Sequence, residues 1–83
     1  MFEENKYTYN DIERIYNFKT WSDNRKIDTL LEIDCGLYTN LGIDSTKEEK
    51  KQVWKKSVEI YRIIKKIDKG LGDQFLLTMN LKQ

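Results

Sequence analysis

Residues 46–69 carry the pattern that most restricts this chain. On a helix turning about 100° per residue, Val53, Ser57, Ile60, Ile63, Ile64 and Ile67 share one face, with Trp54 and Tyr61 at its edge. Lys51, Lys55, Arg62, Lys66 and Lys69 share the opposite face, with Lys65 beside them. A stripe that broad has to be buried on other helices, while the amines across from it stay in water. The pattern predicts an all-α protein and leaves its activity open.

The rest of the chain supplies helices to pack against it. Thr8 and Asp11 form a cap signal, followed by a short helix over about 9–18 with Ile12, Ile15, Tyr16 and either Phe18 or Lys19 on one side. Ser22 opens a second helix over about 23–41, whose stripe is Ile27, Leu30, Leu31, Leu37, Tyr38 and Leu41, with Gly42 as a left-handed stop. Either Ser45 with Glu48 or Thr46 with Glu49 can box the start of the long helix, and Gly70 ends it. Gly70-Leu71-Gly72-Asp73 then reads as a turn before a last short helix over about 73–80, with Phe75, Leu76 and Met79 on one side. The connection between the second and third helices is so short that the two must run antiparallel. The expected architecture is therefore a small all-α bundle of three to four helices, built on a long antiparallel hairpin of about 23–41 and 46–69. Residues 1–83 form one helical domain, with 1–7 expected to be frayed.

Charge narrows the partners. Residues 1–46 hold nine acids and five bases, and residues 47–69 hold nine bases and four acids, so a front at −4 faces a long helix at +5 while the whole chain is only +1. That balance argues against a general polyanion binder. The acidic start Met1-Phe2-Glu3-Glu4 is not a signal peptide, and no run approaches the ~20 apolar residues of a membrane span. The single cysteine, Cys35, gives no intrachain disulfide and reads as a small core residue. The expectation is a soluble intracellular protein with no membrane contact.

Enzyme chemistry finds little to work with. There is no histidine, so Ser-His-Asp and Cys-His arrangements are excluded, as are zinc sites built on histidine. Asp28 and Glu32 share a helix face but have no further ligands converging on them, so no metal or cofactor is implied. Asp34 interrupts the apolar stripe of the second helix, so it is either partly buried against a partner such as Lys or Tyr or turned to the rim, and the cost of burying an unpaired charge favours the rim. The chain reads as a non-enzyme.

Binding surfaces remain. Tyr7, Tyr9 and Trp21, with Tyr16 and Phe18, can serve as interface anchors or as a lid over the hairpin, and a small core short of area favours the lid. The ridge of Lys51, Lys55, Arg62 and Lys66 can meet an acidic protein or phosphates, or simply be solvated. Glu48 and Glu59 border it, and the long helix starts with acids that phosphates repel, which argues against a helix-turn-helix reader and against nucleic acid as the partner. A broad apolar arc also serves a homo-oligomer.

Two stretches, Arg25-Lys26-Ile27-Asp28-Thr29-Leu30-Leu31-Glu32-Ile33-Asp34 and Leu37-Tyr38-Thr39-Asn40-Leu41-Gly42-Ile43-Asp44-Ser45-Thr46-Lys47, with the later Ile60-Tyr61-Arg62-Ile63-Ile64-Lys65-Lys66-Ile67-Asp68, resemble a set of small uncharacterised proteins from tailed phages of marine cyanobacteria. The resemblance covers somewhat over a third of the chain and brings no catalytic residues. It implies a phage protein in the virion or the host cytoplasm. Its leading role is a virion structural or accessory component bound to larger phage proteins. The alternative is a host-takeover factor that binds and modulates a host protein, and the third is a small nucleic-acid-binding protein using the lysine ridge.

Overall fold

The computed structural model describes residues 7–39, 41–42 and 44–81, with the backbone alone for 80 and 81. A 3₁₀ turn, Tyr9–Asp11, leads into α1 (Ile12–Asn17), followed by α2 (Asp23–Thr39), α3 (Lys47–Ile67) and α4 (Lys69–Leu81). No strand occurs among the described residues, and the fold is a small all-α bundle.

Local chemistry sets most of the boundaries. Thr8 and Asp11 form a reciprocal capping box, with the Thr8 amide donating to the Asp11 carboxylate at 2.9 Å. The Ser22 hydroxyl accepts from the Arg25 amide at 3.2 Å and caps α2. Of the two frames open for α3, the helix uses Thr46 with Glu49. Two glycine stops do not form. Gly42 follows the end of α2 without a positive φ, and α2 is over by Thr39. Gly70 lies inside α4 rather than ending α3. Asp68 makes the break: its extended backbone ends α3, and its carboxylate accepts from the Leu71 amide at 3.2 Å. One aspartate thus closes one helix and caps the next, and α4 starts four residues before the expected 73.

The hairpin is antiparallel, since contacts advance along α2 as they retreat along α3. Lys26 and Lys66 meet at Tyr16, Asp34 meets Ser57 and Tyr61, and Leu37 faces Val53. α1 covers one side of this hairpin and α4 the other. Glu13 lies with Arg62 and Ile63 on the first side, whereas Phe75 and Met79 lie with Asp34 and Tyr61 on the second. α3 sits as its amphipathic pattern requires. Ser57, Ile60, Tyr61, Ile63 and Ile64 are buried, and Lys51, Lys55, Arg62, Lys65 and Lys66 are exposed, as is Lys69 at the start of α4. Ile12, Ile15, Ile27, Leu30, Ile33 and Met79 complete the core.

The α3–α4 contact is close at one point. A Cβ built on Gly72 would sit 2.3 Å from the Lys65 Cα, so only glycine lets the two backbones approach there. Among the described residues, no ion pair joins the acidic front of the chain to the basic α3. Among the described residues the ion pairs are Arg14 with Asp11, and Lys65 with Asp73. The frayed start expected for 1–7 lies outside the described residues except at Tyr7, which is half-buried and packs edge-on against Phe18 and Trp21, with centroids at 5.9 and 5.5 Å.

Candidate functional site

The aromatic and basic residues singled out above do not converge. Tyr7 and Trp21 join Phe18 in an aromatic cluster that caps the turn between α1 and α2, with the Arg25 guanidinium 3.9 Å above the Trp21 ring. Tyr9 is half-buried. Its hydroxyl donates to Glu59, and the Lys56 ammonium lies 5.2 Å from its ring. These rings form a lid on the hairpin. Lys51, Lys55, Arg62 and Lys66 all lie exposed along the outer face of α3, and Lys66 also approaches the Tyr16 ring at 5.5 Å.

What does converge is a set of side chains on the other side of the hairpin. Asp34 is 7% exposed, so its expected place at the rim is wrong. Ser57 and Tyr61, one turn apart on α3, both point at it. The Ser57 hydroxyl donates to one carboxylate oxygen, and the Tyr61 hydroxyl donates to the other at 2.6 Å. These two donors make burial tolerable. Tyr61 is held protonated well above the ordinary tyrosine range, first by burial, then by its hydrogen bond to Asp34 and by that group's negative charge. Its ring stacks on Phe75 of α4, with centroids 4.9 Å apart.

A cavity of about 500 Å³ opens against this group between α2, α3 and α4. Asp34, Tyr61 and Phe75 form its inner wall, Met79 and Thr78 come from α4, and Cys35, Tyr38 and Thr39 stand on the α2 side. Cys35 is exposed, against the expectation of a core residue, because it is one position round the helix from Asp34 and so turns outward. Tyr38, expected in the buried stripe, is 41% exposed. Ser57 is fully buried, so no substrate can reach its hydroxyl, and it acts as a structural donor. No group of three or more potential metal ligands forms among the described residues. The Trp54 indole N–H, by contrast, is buried without an acceptor.

Sequence reasoning located Asp34 as an anomaly and offered a tyrosine or lysine as partner, but favoured the rim and named neither Tyr61 nor Ser57. The readable signal was Ser57 and Tyr61 at i, i+4 on the α3 stripe, two hydroxyls on one face of a buried helix. Comparison with protein-family models, curated proteins and solved structures returns no match.

Proposed function

We propose that this chain works by binding another protein, as a small structural or accessory component of a phage virion. The observation that carries the binding role is the cavity between α2, α3 and α4, an apolar hollow with a half-open aromatic rim at Tyr38. Hollows of this kind accept anchor side chains. Leu77, 61% exposed on α4, adds apolar surface outside the cavity. The aromatic cluster of Tyr7, Phe18 and Trp21 is engaged within the fold, which supports the α2–α4 side over the front of the chain as the contact surface. The phage setting rests on the resemblance of residues 25–47 and 60–68.

Mass spectrometry of purified particles tests the reading. The protein should appear at a fixed stoichiometry, and Tyr38→Glu should remove it from particles without lowering its melting temperature. Particles that lack the unaltered protein, together with one dominant host protein in a pull-down, would replace this reading with a host-directed one.

The exposed lysine ridge favours a second reading, an anionic surface as partner. Reversing Lys51, Lys55, Arg62 and Lys66 to Glu should then abolish any retardation of DNA or RNA in a gel. Unchanged mobility at every protein concentration would leave the ridge as a solvated face.

A further inference from the structure

The α2–α4 cavity is apolar around most of its wall, yet it ends on a carboxylate. Among the described residues no lysine or arginine pairs with Asp34. Bases of the bundle have other partners: Lys26 donates to the Tyr16 carbonyl at 2.8 Å, Lys56 lies over Tyr9, and Lys65 pairs with Asp73 on the surface. Two hydroxyl donors, one on each oxygen, match an ionised carboxylate, which accepts only. Such a group offers about four lone-pair sites, so roughly half its accepting capacity is uncommitted. Hydroxyl dipoles lower the cost of withdrawing the charge from water but leave it uncompensated. The Tyr61 and Phe75 rings, stacked at 16°, and the Tyr38 ring at the rim add π-surfaces that also attract cations. A cavity of about 500 Å³ is large enough for a side chain or a small ligand.

We propose that this cavity receives one basic side chain of the protein partner, whose apolar stem lies against Tyr38, Tyr61, Phe75 and Met79 and whose charged end reaches Asp34. The inference rests on the protein-binding role above and specifies what the partner presents. Lysine and arginine suit the site because each carries a cation on a methylene stem. An acidic or purely apolar anchor would leave the Asp34 charge unanswered.

The test uses the intact protein and n-butylammonium, the lysine side chain alone, with n-butanol as the neutral control. In an NMR titration the ammonium should shift the amides of Asp34, Cys35, Tyr38 and Thr78, and should slow alkylation of the Cys35 thiol. Butanol should bind on the order of tenfold more weakly, the effect of one hydrogen bond to a charged group. Asp34→Asn should make the two probes equal. Equal binding in the unaltered protein, or no shift at these amides with either probe, overturns the proposal. Thr78→Lys serves as a variant that keeps Asp34 in place. A lysine on the α4 wall should abolish butylammonium binding and raise the melting temperature above that of Thr78→Met, and a chain with neither effect counts against the site. In particles, Thr78→Lys should reduce incorporation by occupying the cavity, and full incorporation overturns the partner-borne side chain. Absence of the unaltered protein from particles, with butylammonium still bound at Asp34, would retire the virion reading and leave the cation site standing.

Discussion

Replacing Tyr61 by phenylalanine keeps the ring on Phe75 but takes one donor from Asp34, so a buried carboxylate oxygen loses its partner. Hydrogen bonds to charged groups contribute about 1.5–3 kcal/mol, and Tyr61→Phe should lower stability by that amount in urea unfolding. A loss below about 0.5 kcal/mol would mean that water already serves the carboxylate. The same contact sets an alkaline limit. Because folding raises the Tyr61 pKa, both states hold the proton below about pH 10, and the contribution is fully present there. At higher pH the unfolded chain releases that proton while the folded one keeps it, so stability falls as pH rises. Tyr61→Phe should flatten this fall, and parallel profiles for the two proteins would remove Tyr61 as its source. Asp34 shows where the sequence stops informing. The rule that lone charges avoid burial points to the rim, and it fails because two donors on a neighbouring helix reach the carboxylate. Their spacing is readable in the chain, but their distance from Asp34 depends on how α2 and α3 align.

At the scale of elements, the first three helix starts were legible, but the start of α4 and two of the stops were not. Caps are local chemistry, and Thr8, Ser22 and Thr46 act as their side chains predict. Gly70 and Gly72 look like one turn, since glycine commonly ends helices, but each has a different role in the structure. Asp68 turns the chain, Gly70 lies exposed within α4, and Gly72 is the point where α4 presses on α3. These roles separate under one substitution. Gly72→Ala would place a methyl carbon 2.3 Å from the Lys65 Cα, a backbone atom that cannot swing away, so α3 and α4 must part. Overpacking of this kind costs about 1–3 kcal/mol. Gly70→Ala meets nothing closer than the Asp68 carboxylate at 3.7 Å, and alanine in a helix is favoured by up to about 1 kcal/mol, so it should be neutral or stabilising. Thermal melts should show a lowered midpoint for Gly72→Ala and an unchanged or raised one for Gly70→Ala. If Gly72→Ala melts with the unaltered protein, the close approach of the two helices is wrong.

For the molecule as a whole, the strongest dependence is on the α3 stripe. Ile60 and Ile64 are both 0% exposed and belong to one core cluster with residues of α1, α2 and α4. The sequence made this face legible because a period repeated over six turns leaves one orientation that buries isoleucines and hydrates lysines. It could not show which side of the hairpin each short helix takes, because that depends on contacts between distant segments such as Tyr61 with Phe75 and Tyr9 with Glu59. Truncating either isoleucine to alanine leaves a cavity that three surrounding elements cannot all close, at about 2–5 kcal/mol. A chain of 83 residues has on the order of 4–12 kcal/mol in total, so one such change removes a large share. Ile60→Ala and Ile64→Ala should each lower the urea midpoint sharply, with the slope of the transition preserved. The two sites are one turn apart and share a core, so the double variant should depart from additivity, and helical circular dichroism should show it largely unfolded at ambient temperature. Val58, half-buried on the same helix, gives the internal comparison, since Val58→Ala removes less buried surface and should cost less. Equal, small losses at all three positions would mean that the isoleucines are not covered by the bundle but by a second copy of the chain, and the melts would then depend on protein concentration.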